Sequence, residues 1–339
     1  MKALYYPAHD QLVMADLPLP VAAPEEVLVK VSACGICSSE IETFKSHSNR
    51  RTPPLVMGHE FCGVVAETGA DVSGFSPGAR VVSNSVVSCG ICTACRQGRS
   101  NLCANRQIFG MHRPGAFAAY VNVPARCLVP MPDQLTPEQA CLTEPLANGV
   151  HMVNLTRHIA PENVLVIGAG AIGLLAQQAF QQMTGASVTV ADLKPERLAI
   201  ARKNGAAATI NPSETDLVQA VSQLTGYQGM DVVIDAVGTS TTNRQTLEAT
   251  RPGGTAVLIG LYENSRSLLS YDIILPEKHV TGTYAATDAE ISQAVALLAT
   301  GRIDVSSWVH YYPHSEGVRA FREMLESKNG HIKSVITYP

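Results

Sequence analysis

The stretch VLVIGAGAIG, residues 164–173, decides the fold of this chain because it joins a buried strand to a glycine-rich turn. Its first four apolar residues read as a strand, the G-x-G-x-x-G pattern follows at once, and about ten helix-compatible residues come next. A second apolar run, residues 187–191, ends at Asp192, which lies 19 positions after Gly173. This succession predicts a dinucleotide-binding unit, and a purely structural strand-turn-helix is the alternative.

The three glycines of this turn have separate roles in such a unit. Gly168 permits the tight turn, Gly170 lets the backbone approach a pyrophosphate, and Gly173 lets the helix pack on the strand. Ile172 lies in the first turn of the predicted helix, where free N–H groups and a partial positive charge favour phosphate. We therefore predict that these four residues bind the cofactor, with Asp192 accepting hydrogen bonds from a ribose.

The composition limits the classes of function. The chain has 339 residues, which suggests about two domains, and 46% hydrophobic residues allow substantial cores. A net charge of −4 argues against nucleic acid or a membrane surface as a partner. The N-terminus does not look like a signal peptide and no apolar stretch approaches transmembrane length, so we expect a cytoplasmic protein.

The character of the chain changes near Asn163. Before it, the pattern predicts short β-strands, for example where Val27, Val29 and Val31 alternate with other residues. After it, strands such as residues 231–236 alternate with helices, which predicts a parallel sheet covered on both faces. We therefore predict an α/β protein with a β-rich N-terminal domain and a doubly wound, Rossmann-type domain.

Four of the nine cysteines lie within fifteen positions. Cys89, Cys92, Cys95 and Cys103 have the spacing C-x2-C-x2-C-x7-C, which suits a loop wrapped around one ion. Four thiolates favour tetrahedral Zn²⁺ at a closed, structural site. Free buried cysteines are the alternative.

A second set of ligand-type residues is scattered along the chain: Cys37, His59, Glu60 and Glu144. A mixture of thiol, imidazole and carboxylate fits a catalytic zinc that keeps one position open for substrate. Each residue alone also suits an ordinary core or hydrogen-bonding role, and the sequence pattern does not show that the four converge.

Together these motifs resemble the zinc-dependent medium-chain dehydrogenases. Five motifs occur in the order found in that family, across essentially the whole chain: segments 33–40 and 58–60, the four-cysteine loop, segment 143–146 and the glycine turn. The similarity is greatest to the branch of polyol, sugar-alcohol-phosphate and threonine dehydrogenases, which carries a counterpart of Glu144-Pro145.

The resemblance implies a domain organisation. Residues 1–150 and 285–339 would form a GroES-like catalytic domain that binds zinc, and residues 151–284 an NAD-binding Rossmann domain. One catalytic and one structural zinc ion per subunit are implied, with NAD as the second cofactor.

Roles for single residues follow from the same resemblance. Cys37, His59 and Glu144 are implied as ligands of the catalytic zinc, Glu60 as a ligand or an alternating one, and Glu40 as the carboxylate that orients His59. Ser39 is implied to contact the reacting hydroxyl and to start a proton relay. The implied cofactor contacts are Asp192 and Arg197 at the adenosine ribose, the nicotinamide-lining residues Ile259, Gly260 and Leu261, and Tyr284.

Glu42, Ala285-Ala286 and Ser38, which replaces a common glycine, depart from the family pattern, and the role of Arg50-Arg51 is open. Glu42 stands where relatives often carry a relay histidine, and it either relays protons or faces water. Ala285-Ala286 stand where sorbitol-type members carry an arginine and a tyrosine. Arg50-Arg51 either hold a substrate phosphate or belong to a solvated loop, which we favour.

We predict an NAD-dependent zinc dehydrogenase that reversibly oxidises a secondary hydroxyl of a polyol, sugar alcohol or sugar-alcohol phosphate to a ketone. An L-threonine or sugar-acid dehydrogenase is the alternative within the family, and a non-catalytic NAD(H)-sensing zinc protein the alternative outside the enzymes. The expected partner is a small molecule, without nucleic acid or membrane, in a homodimer or homotetramer.

Overall fold

The computed structural model describes residues 1–264, 270–326 and 331–339. The strands are β1 (Lys2–Ala8), β2 (Gln11–Asp16), β3 (Glu26–Gly35), β4 (Leu55–Val56), β5 (Glu60–Thr68), β6 (Arg80–Ser83), β7 (Val86–Val87), β8 (Gln107–Ile108), β9 (Tyr120–Pro124), β10 (Leu128–Pro130), β11 (Asn163–Ile167), β12 (Ser187–Ala191), β13 (Ala208–Ile210), β14 (Met230–Asp235), β15 (Thr250–Leu258), β16 (His279–Gly282), β17 (Val309–Pro313) and β18 (Lys333–Thr337).

The helices include three short ones, of four or five residues, beside longer segments. They are α1 (Ser38–Ser46), α2 (Thr93–Arg96), α3 (Pro137–Ala140), α4 (Thr143–Thr156), α5 (Ala171–Thr184), α6 (Pro195–Lys203), α7 (Leu217–Leu224), α8 (Ser240–Ala249), α9 (Ser270–Ile274), α10 (Asp288–Ala299) and α11 (Gly317–Glu326). Within the ranges given above, no helix has both the length and the apolar character needed to cross a bilayer.

The chain divides into two compact units, of which the first contains Met1–Ala147 and Ala285–Pro339. Its main sheet has the strand order β10-β6-β5-β3-β18-β17, with β9 also paired to β3. The long strand β3 lies inside this sheet, where it pairs with β5, β9 and β18. Its Val27, Val29 and Val31 side chains enter the core, as the alternation predicts, but Leu28 between them is buried as well. Strand β18 pairs antiparallel with β3, so the C-terminal segment completes this sheet.

The second unit, Asn148–Tyr284, contains a six-stranded parallel sheet. Its strand order is β13-β12-β11-β14-β15-β16. From β11 in the middle, the chain first adds β12 and β13 on one side and then crosses to add β14, β15 and β16 on the other. This is the order of a doubly wound dinucleotide-binding sheet, whose ligand binds at the carboxyl ends of the strands beside the reversal point. Together with the β-rich first unit, this sheet confirms the predicted α/β fold class.

Capping-box patterns in the sequence mark the observed starts of two helices, α3 and α1. Thr136 caps α3, its side chain accepting from the Gln139 backbone N–H while the Gln139 side chain returns to Thr136. Cys37 caps α1 in the same way, with Glu40 as the returning side chain, although a cysteine is not a typical cap. The start of α1 therefore places Cys37 and Glu40 next to each other.

Candidate metal centres and dinucleotide-binding turn

The four-cysteine loop brings its thiol groups together, as its spacing predicts. The ligand atoms of Cys89, Cys92, Cys95 and Cys103 all lie within 4.8 Å of one another. Cys92 Sγ is 3.5 Å and Cys89 Sγ 4.0 Å from Cys95 Sγ. Zn–S bonds of about 2.3 Å in a tetrahedron place sulfur atoms about 3.8 Å apart, so this donor set fits zinc. The prediction of a structural zinc site is confirmed.

The backbone of the loop also favours thiolates. The backbone N–H of Cys95, and then its side chain, lower the pKa of Cys92 to about 6. Backbone N–H groups of Ile91 and Cys92 likewise lower the pKa of Cys89. The short helix α2 begins at Thr93, between these two ligands and Cys95, and so turns the chain back on itself. Burial, and then the hydrogen bond with Cys92, raise the pKa of Cys95 to about 11. Metal binding requires deprotonated sulfur, which the loop favours at Cys89 and Cys92, while Cys95 must give up its proton to the ion.

The second donor set is formed by Cys37, His59 and Glu60, whose ligand atoms also lie within 4.8 Å of one another. Cys37 stands between β3 and α1, and His59 and Glu60 stand where β5 begins. Strands β3 and β5 are paired antiparallel with Gly35 opposite Glu60, which brings segments distant in sequence to one place. A thiol, an imidazole and a carboxylate fit a catalytic zinc, and the prediction of a second zinc site is confirmed.

Glu40 connects these ligands to the backbone around them. Its Oε1 lies 3.0 Å from His59 Nδ1 and accepts from the Gly58 backbone N–H at 2.8 Å. Its Oε2 accepts from the Cys37 backbone N–H at 2.9 Å. Burial opposes the charges of this pair, yet the Glu40 carboxylate raises the pKa of His59 well above its ordinary value. The contacts fix the ring orientation of His59 and leave Nε2 for a metal.

Glu60 has a cationic partner that the sequence analysis did not identify. Lys333 on β18 forms a buried ion pair with Glu60 Oε2. Burial lowers the pKa of Lys333, but the Glu60 carboxylate outweighs it and the net shift is upward. A Cβ atom at Gly35 would lie only 2.2 Å from Glu60 Oε2, so a larger residue there would displace this carboxylate.

Glu144 lies in the first turn of α4 and is buried. Its Oε1 accepts from the Ser85 hydroxyl at 2.7 Å. Burial raises the pKa of Glu144, against the charge of His59, and the Glu60 carboxylate raises it further. The charges of His59 and Glu60 therefore shift the pKa of Glu144. However, Glu144 is outside the set of three residues whose donor atoms lie within 4.8 Å of one another. Its role as a zinc ligand stays a prediction.

Ser39 lies beside Cys37 and is held by an unexpected residue. Ser39 Oγ donates to Cys37 Sγ at 3.3 Å and accepts from Arg51 Nη2 at 3.0 Å. Arg51 is 1% exposed, whereas Arg50 is exposed, so the expectation of a solvated loop is wrong for Arg51. Glu42 is exposed on the same helix as Ser39.

The glycine-rich turn has the geometry that its sequence predicts. Gly168 has φ = 102°, a value that favours glycine, and a Cβ atom at Gly173 would lie 1.8 Å from Gly168 O. A Cβ atom at Gly170 would meet nothing within 4 Å, so the space that a pyrophosphate needs is open. Ile172 follows Ala171, the first residue of α5. The turn therefore fits a dinucleotide.

Asp192 follows β12 and lies next to this turn. Its Oδ2 accepts from the Ala169 backbone N–H and its Oδ1 from the Lys194 backbone N–H, both at 2.8 Å. Arg197 Nη1 lies 3.8 Å from Asp192 Oδ2, which places the two predicted ribose contacts together.

The residues predicted to line the nicotinamide follow β15. The backbone N–H groups of Ile259 and Gly260 both donate to Asp235 O, and a Cβ atom at Gly260 would lie 2.2 Å from Gly238 N. Leu261 is exposed, and Tyr284 is half-buried. Their contacts with a cofactor stay predictions.

Known proteins match both parts of the chain. The alcohol dehydrogenase GroES-like domain matches residues 23–133, and the zinc-binding dehydrogenase domain matches residues 171–300. An L-threonine 3-dehydrogenase from Chromobacterium violaceum is 32% identical over 95% of this chain and 95% of its own length.

Solved structures of dehydrogenases are also similar to this chain over nearly its whole length. A zinc-binding dehydrogenase from Sinorhizobium meliloti bound to NADP has 32% identity and a TM-score of 0.91, covering 99% of this chain and 98% of its own. Galactitol-1-phosphate dehydrogenase from Escherichia coli has 26% identity and a TM-score of 0.93, covering 99% and 100%.

Two zinc-type donor sets and a dinucleotide-binding sheet, in a chain with these relatives, define a zinc dehydrogenase that acts on CH–OH groups with a nicotinamide dinucleotide. The chain belongs to the zinc-binding medium-chain dehydrogenases, with their GroES-like and zinc-binding dehydrogenase domains. This confirms the family, the catalytic and structural zinc ions and the NAD cofactor predicted from the motifs.

Proposed function

We propose that this protein oxidises a secondary alcohol carrying an adjacent hydroxyl to the ketone, reversibly, with NAD⁺ accepting the hydride and one proton released. The observation that carries the proposal is the convergence of Cys37, His59 and Glu60. A thiolate, an imidazole and a carboxylate leave a zinc coordination position for substrate, in contrast to the closed four-cysteine set. An NAD(H) sensor would not need that open position.

The roles of single residues are part of this proposal. Zinc held by these donors supplies a Lewis acid that lowers the pKa of an alcohol hydroxyl. Ser39 contacts the reacting hydroxyl and takes up its proton, which the position of its Oγ beside Cys37 Sγ supports. Glu40 holds His59 in orientation. Glu144, held by Ser85, and Glu60 alternate as the third ligand beside Cys37 and His59, so that one position stays open for substrate.

The two units divide the task in our proposal. Residues 1–150 and 285–339 hold the alcohol, and residues 151–284 bind the dinucleotide through Gly168, Gly170, Ile172 and Gly173. Asp192 and Arg197 contact the adenosine ribose, Ile259, Gly260 and Leu261 line the nicotinamide, and Tyr284 also contacts the cofactor. The open space at Gly170 and the position of Asp192 against the turn support this assignment.

The substrate that we propose is an unphosphorylated polyol or sugar alcohol. The resemblance of Glu144-Pro145 to the polyol branch supports a polyol. The similarity to galactitol-1-phosphate dehydrogenase supports a polyol too, but by its name favours the phosphate ester. Arg51, one of the two arginines that the sequence offered for a substrate phosphate, uses its guanidinium within the protein. A phosphate ester therefore has less support than the free polyol.

L-Threonine is the second candidate, because an L-threonine 3-dehydrogenase is 32% identical over 95% of this chain. Threonine and a polyol share a secondary hydroxyl beside a second polar group, and they differ in the charges that the site must bind. A threonine site must hold an ammonium and a carboxylate group, whereas a polyol site needs neutral hydrogen-bonding partners.

We also propose a homodimer or homotetramer. Strand β16 is an edge of the six-stranded sheet, and Val280 on it is exposed together with Tyr271, Ile274 and Leu275 just before it. An exposed sheet edge with apolar side chains favours pairing with another chain. Light scattering after gel filtration tests this, and a Val280→Lys variant should dissociate if β16 forms the contact.

The test of function is kcat/KM for a C4–C6 polyol, its phosphate ester, L-threonine and a simple secondary alcohol, on protein with two zinc ions confirmed by metal analysis. We expect the polyol to exceed the simple alcohol at least tenfold. His59→Ala is the matched inactive variant, and it should still bind NAD⁺ because the glycine turn is unchanged. Preference for L-threonine would replace the polyol by the second candidate. NAD⁺ binding without hydride transfer to any substrate would favour the sensor.

A further inference from the structure

Arg51 is among the largest fully buried side chains of the described residues. Its Nε donates to Gly110 O at 3.0 Å, and its Nη1 donates to Thr43 Oγ1 at 3.2 Å. The other contacts both go to Ser39: Nη1 donates to the backbone oxygen and Nη2 to Oγ, each at 3.0 Å. One guanidinium therefore forms hydrogen bonds with both the main chain and the side chain of Ser39.

A buried cation is costly unless it is paired and hydrogen-bonded. In the described part of the chain, no carboxylate forms an ion pair with Arg51 within 4.0 Å, whereas the other buried cation of this unit, Lys333, contacts Glu60 directly. Arg51 instead donates its hydrogen bonds to the hydroxyl groups of one serine and one threonine and to two backbone oxygens. The charge of Arg51 also helps to lower the pKa of the buried Glu40 carboxylate, which offsets part of its desolvation, and two of its four hydrogen bonds go to Ser39.

We propose that Arg51 is a positioning residue that orients the Ser39 hydroxyl. A hydroxyl has one hydrogen and two lone pairs. The guanidinium occupies one lone pair of Oγ and Cys37 Sγ, 3.3 Å away, accepts its hydrogen, so the direction of the second lone pair is fixed as well. Ser39 is thereby held with one lone pair free to accept the proton of the reacting hydroxyl, and this uptake is balanced by release of its own hydrogen from Cys37 Sγ toward the cofactor ribose and solvent.

A lysine cannot take the place of Arg51 in this arrangement. The guanidinium is a planar fork with its donors in fixed directions, whereas an ammonium group is a point charge on a flexible stem. Holding Ser39 O and Oγ at once requires two donors at a fixed spacing, which the two terminal nitrogen atoms provide. The proposal rests on the proposed role of Ser39 in proton transfer.

The kinetic test is a double-mutant cycle between Arg51 and Ser39 in the full zinc-loaded protein. We expect Arg51→Lys to lower kcat about 10- to 100-fold with little change in KM, because misplacement of a reacting group affects the chemical step. In a Ser39→Ala background, the same substitution should change kcat less than twofold. Additive losses would overturn the proposal, because they are expected if Arg51 only supports the fold.

Thr43→Val is the control, because it removes the hydrogen bond from Thr43 Oγ1 to Ser39 O and the one from Arg51 to Thr43, but leaves both contacts of Arg51 with Ser39. We expect it to keep kcat within threefold of the parent protein. A loss as large as that of Arg51→Lys would contradict the proposal, because the Ser39 contacts would not be what matters.

A second readout does not depend on activity. In protein with Co²⁺ at the Cys37 site, the thiolate-to-cobalt absorption band reports the hydrogen bond from Ser39 to Cys37 Sγ. Ser39→Ala and Arg51→Lys should shift this band in the same direction, and Thr43→Val should not. A shift in a protein that oxidises none of the alcohols would retain the positioning role and reject the proposed function. An unshifted band in an active Arg51→Lys protein would reject the positioning role alone.

The link can also be observed with Arg51 in place, should its variants fail to fold. In protein labelled with nitrogen-15 at arginine, Ser39→Ala should change the Nη signals of Arg51 and speed their exchange with solvent. Unchanged Nη signals would overturn the proposal.

Discussion

Glu40 Oε1 lies 3.0 Å from His59 Nδ1, and both side chains are buried. A histidine that donates one ring proton to a carboxylate presents its other nitrogen to a metal in a fixed tautomer. Because Glu40 also accepts from the Cys37 and Gly58 backbones, one carboxylate fixes the chain around two of the three donors.

Glu40→Gln should therefore weaken the catalytic zinc site without unfolding the protein. Loss of such a supporting carboxylate lowers metal affinity or activity 10–100-fold in general, and we expect a decrease of about that size in kcat/KM. Zinc per subunit, measured after dialysis against a mild chelator, should fall toward one. Glu42→Gln, on the exposed side of the same helix, is the control, and an equal loss there would contradict the assignment.

Cys95→Ser should remove the structural zinc. A zinc ion bound by four thiolates contributes roughly 10–16 kcal/mol in small peptides, comparable with the stability of a whole domain. We expect one zinc equivalent fewer and a melting temperature lower by at least about 10 °C, since a loss of even about 4 kcal/mol, well below the peptide value, corresponds to such a shift in a domain of this size. Ile91→Ala changes an exposed side chain of the same loop and should alter neither quantity.

The two metal sites differ in how far the sequence predicts them. The four-cysteine ligands lie in one loop, so their spacing alone indicates zinc. Cys37 and His59 meet only through the pairing of β3 with β5, which no local pattern encodes, and the family resemblance supplied that prediction.

Arg51 shows where a reading of the sequence fails. Two adjacent arginines before a proline pair indicate a solvated loop, because arginine is rarely buried. Its burial depends on a backbone oxygen at Gly110, 59 positions away, and on the first turn of α1. Lys333 was missed for the same reason, since its partner Glu60 lies at the other end of the chain. Such non-local contacts determine the burial of a charge, and local patterning does not contain them.

NAD⁺ should be preferred to NADP⁺ because of Asp192. Two unit negative charges about 4 Å apart repel by roughly 4 kcal/mol at an effective dielectric constant near 20, and screening reduces this value. We expect about a hundredfold preference in kcat/KM, with Arg197 acting against it by offering a cation to a 2′-phosphate.

Asp192→Ser should reduce that preference at least tenfold, and it should raise KM for NAD⁺ because the Ala169 N–H loses its acceptor. Glu196→Gln removes a negative charge from the exposed start of α6 and should leave the preference unchanged. Equal turnover of NAD⁺ and NADP⁺ by the parent protein would refute the role of Asp192, and the NADP-bound relative makes this comparison necessary.

Asp231 should contribute stability that depends on pH. Its Oδ2 accepts from the backbone N–H groups of Glu162 and Asn163, and its Oδ1 from Arg251 Nε at 2.6 Å. Burial raises the pKa of Asp231, but the Asn163 N–H and Arg251 outweigh it, so the net shift is downward. The folded state therefore holds the carboxylate more strongly than the unfolded chain does.

Because the folded pKa is the lower one, this stabilisation is complete above the unfolded value of about 3.9 and is lost as the pH falls through the folded pKa. Asp231→Asn should lower the free energy of unfolding by about 2 kcal/mol at pH 7, since hydrogen bonds to a charged group are lost. The difference in melting temperature between parent and variant should narrow below about pH 4. Asp272→Asn, an exposed change in the same unit, should have little effect at either pH. A gap between parent and Asp231→Asn that stays constant from pH 7 to pH 3 would show that Asp231 contributes through packing and not through its charge.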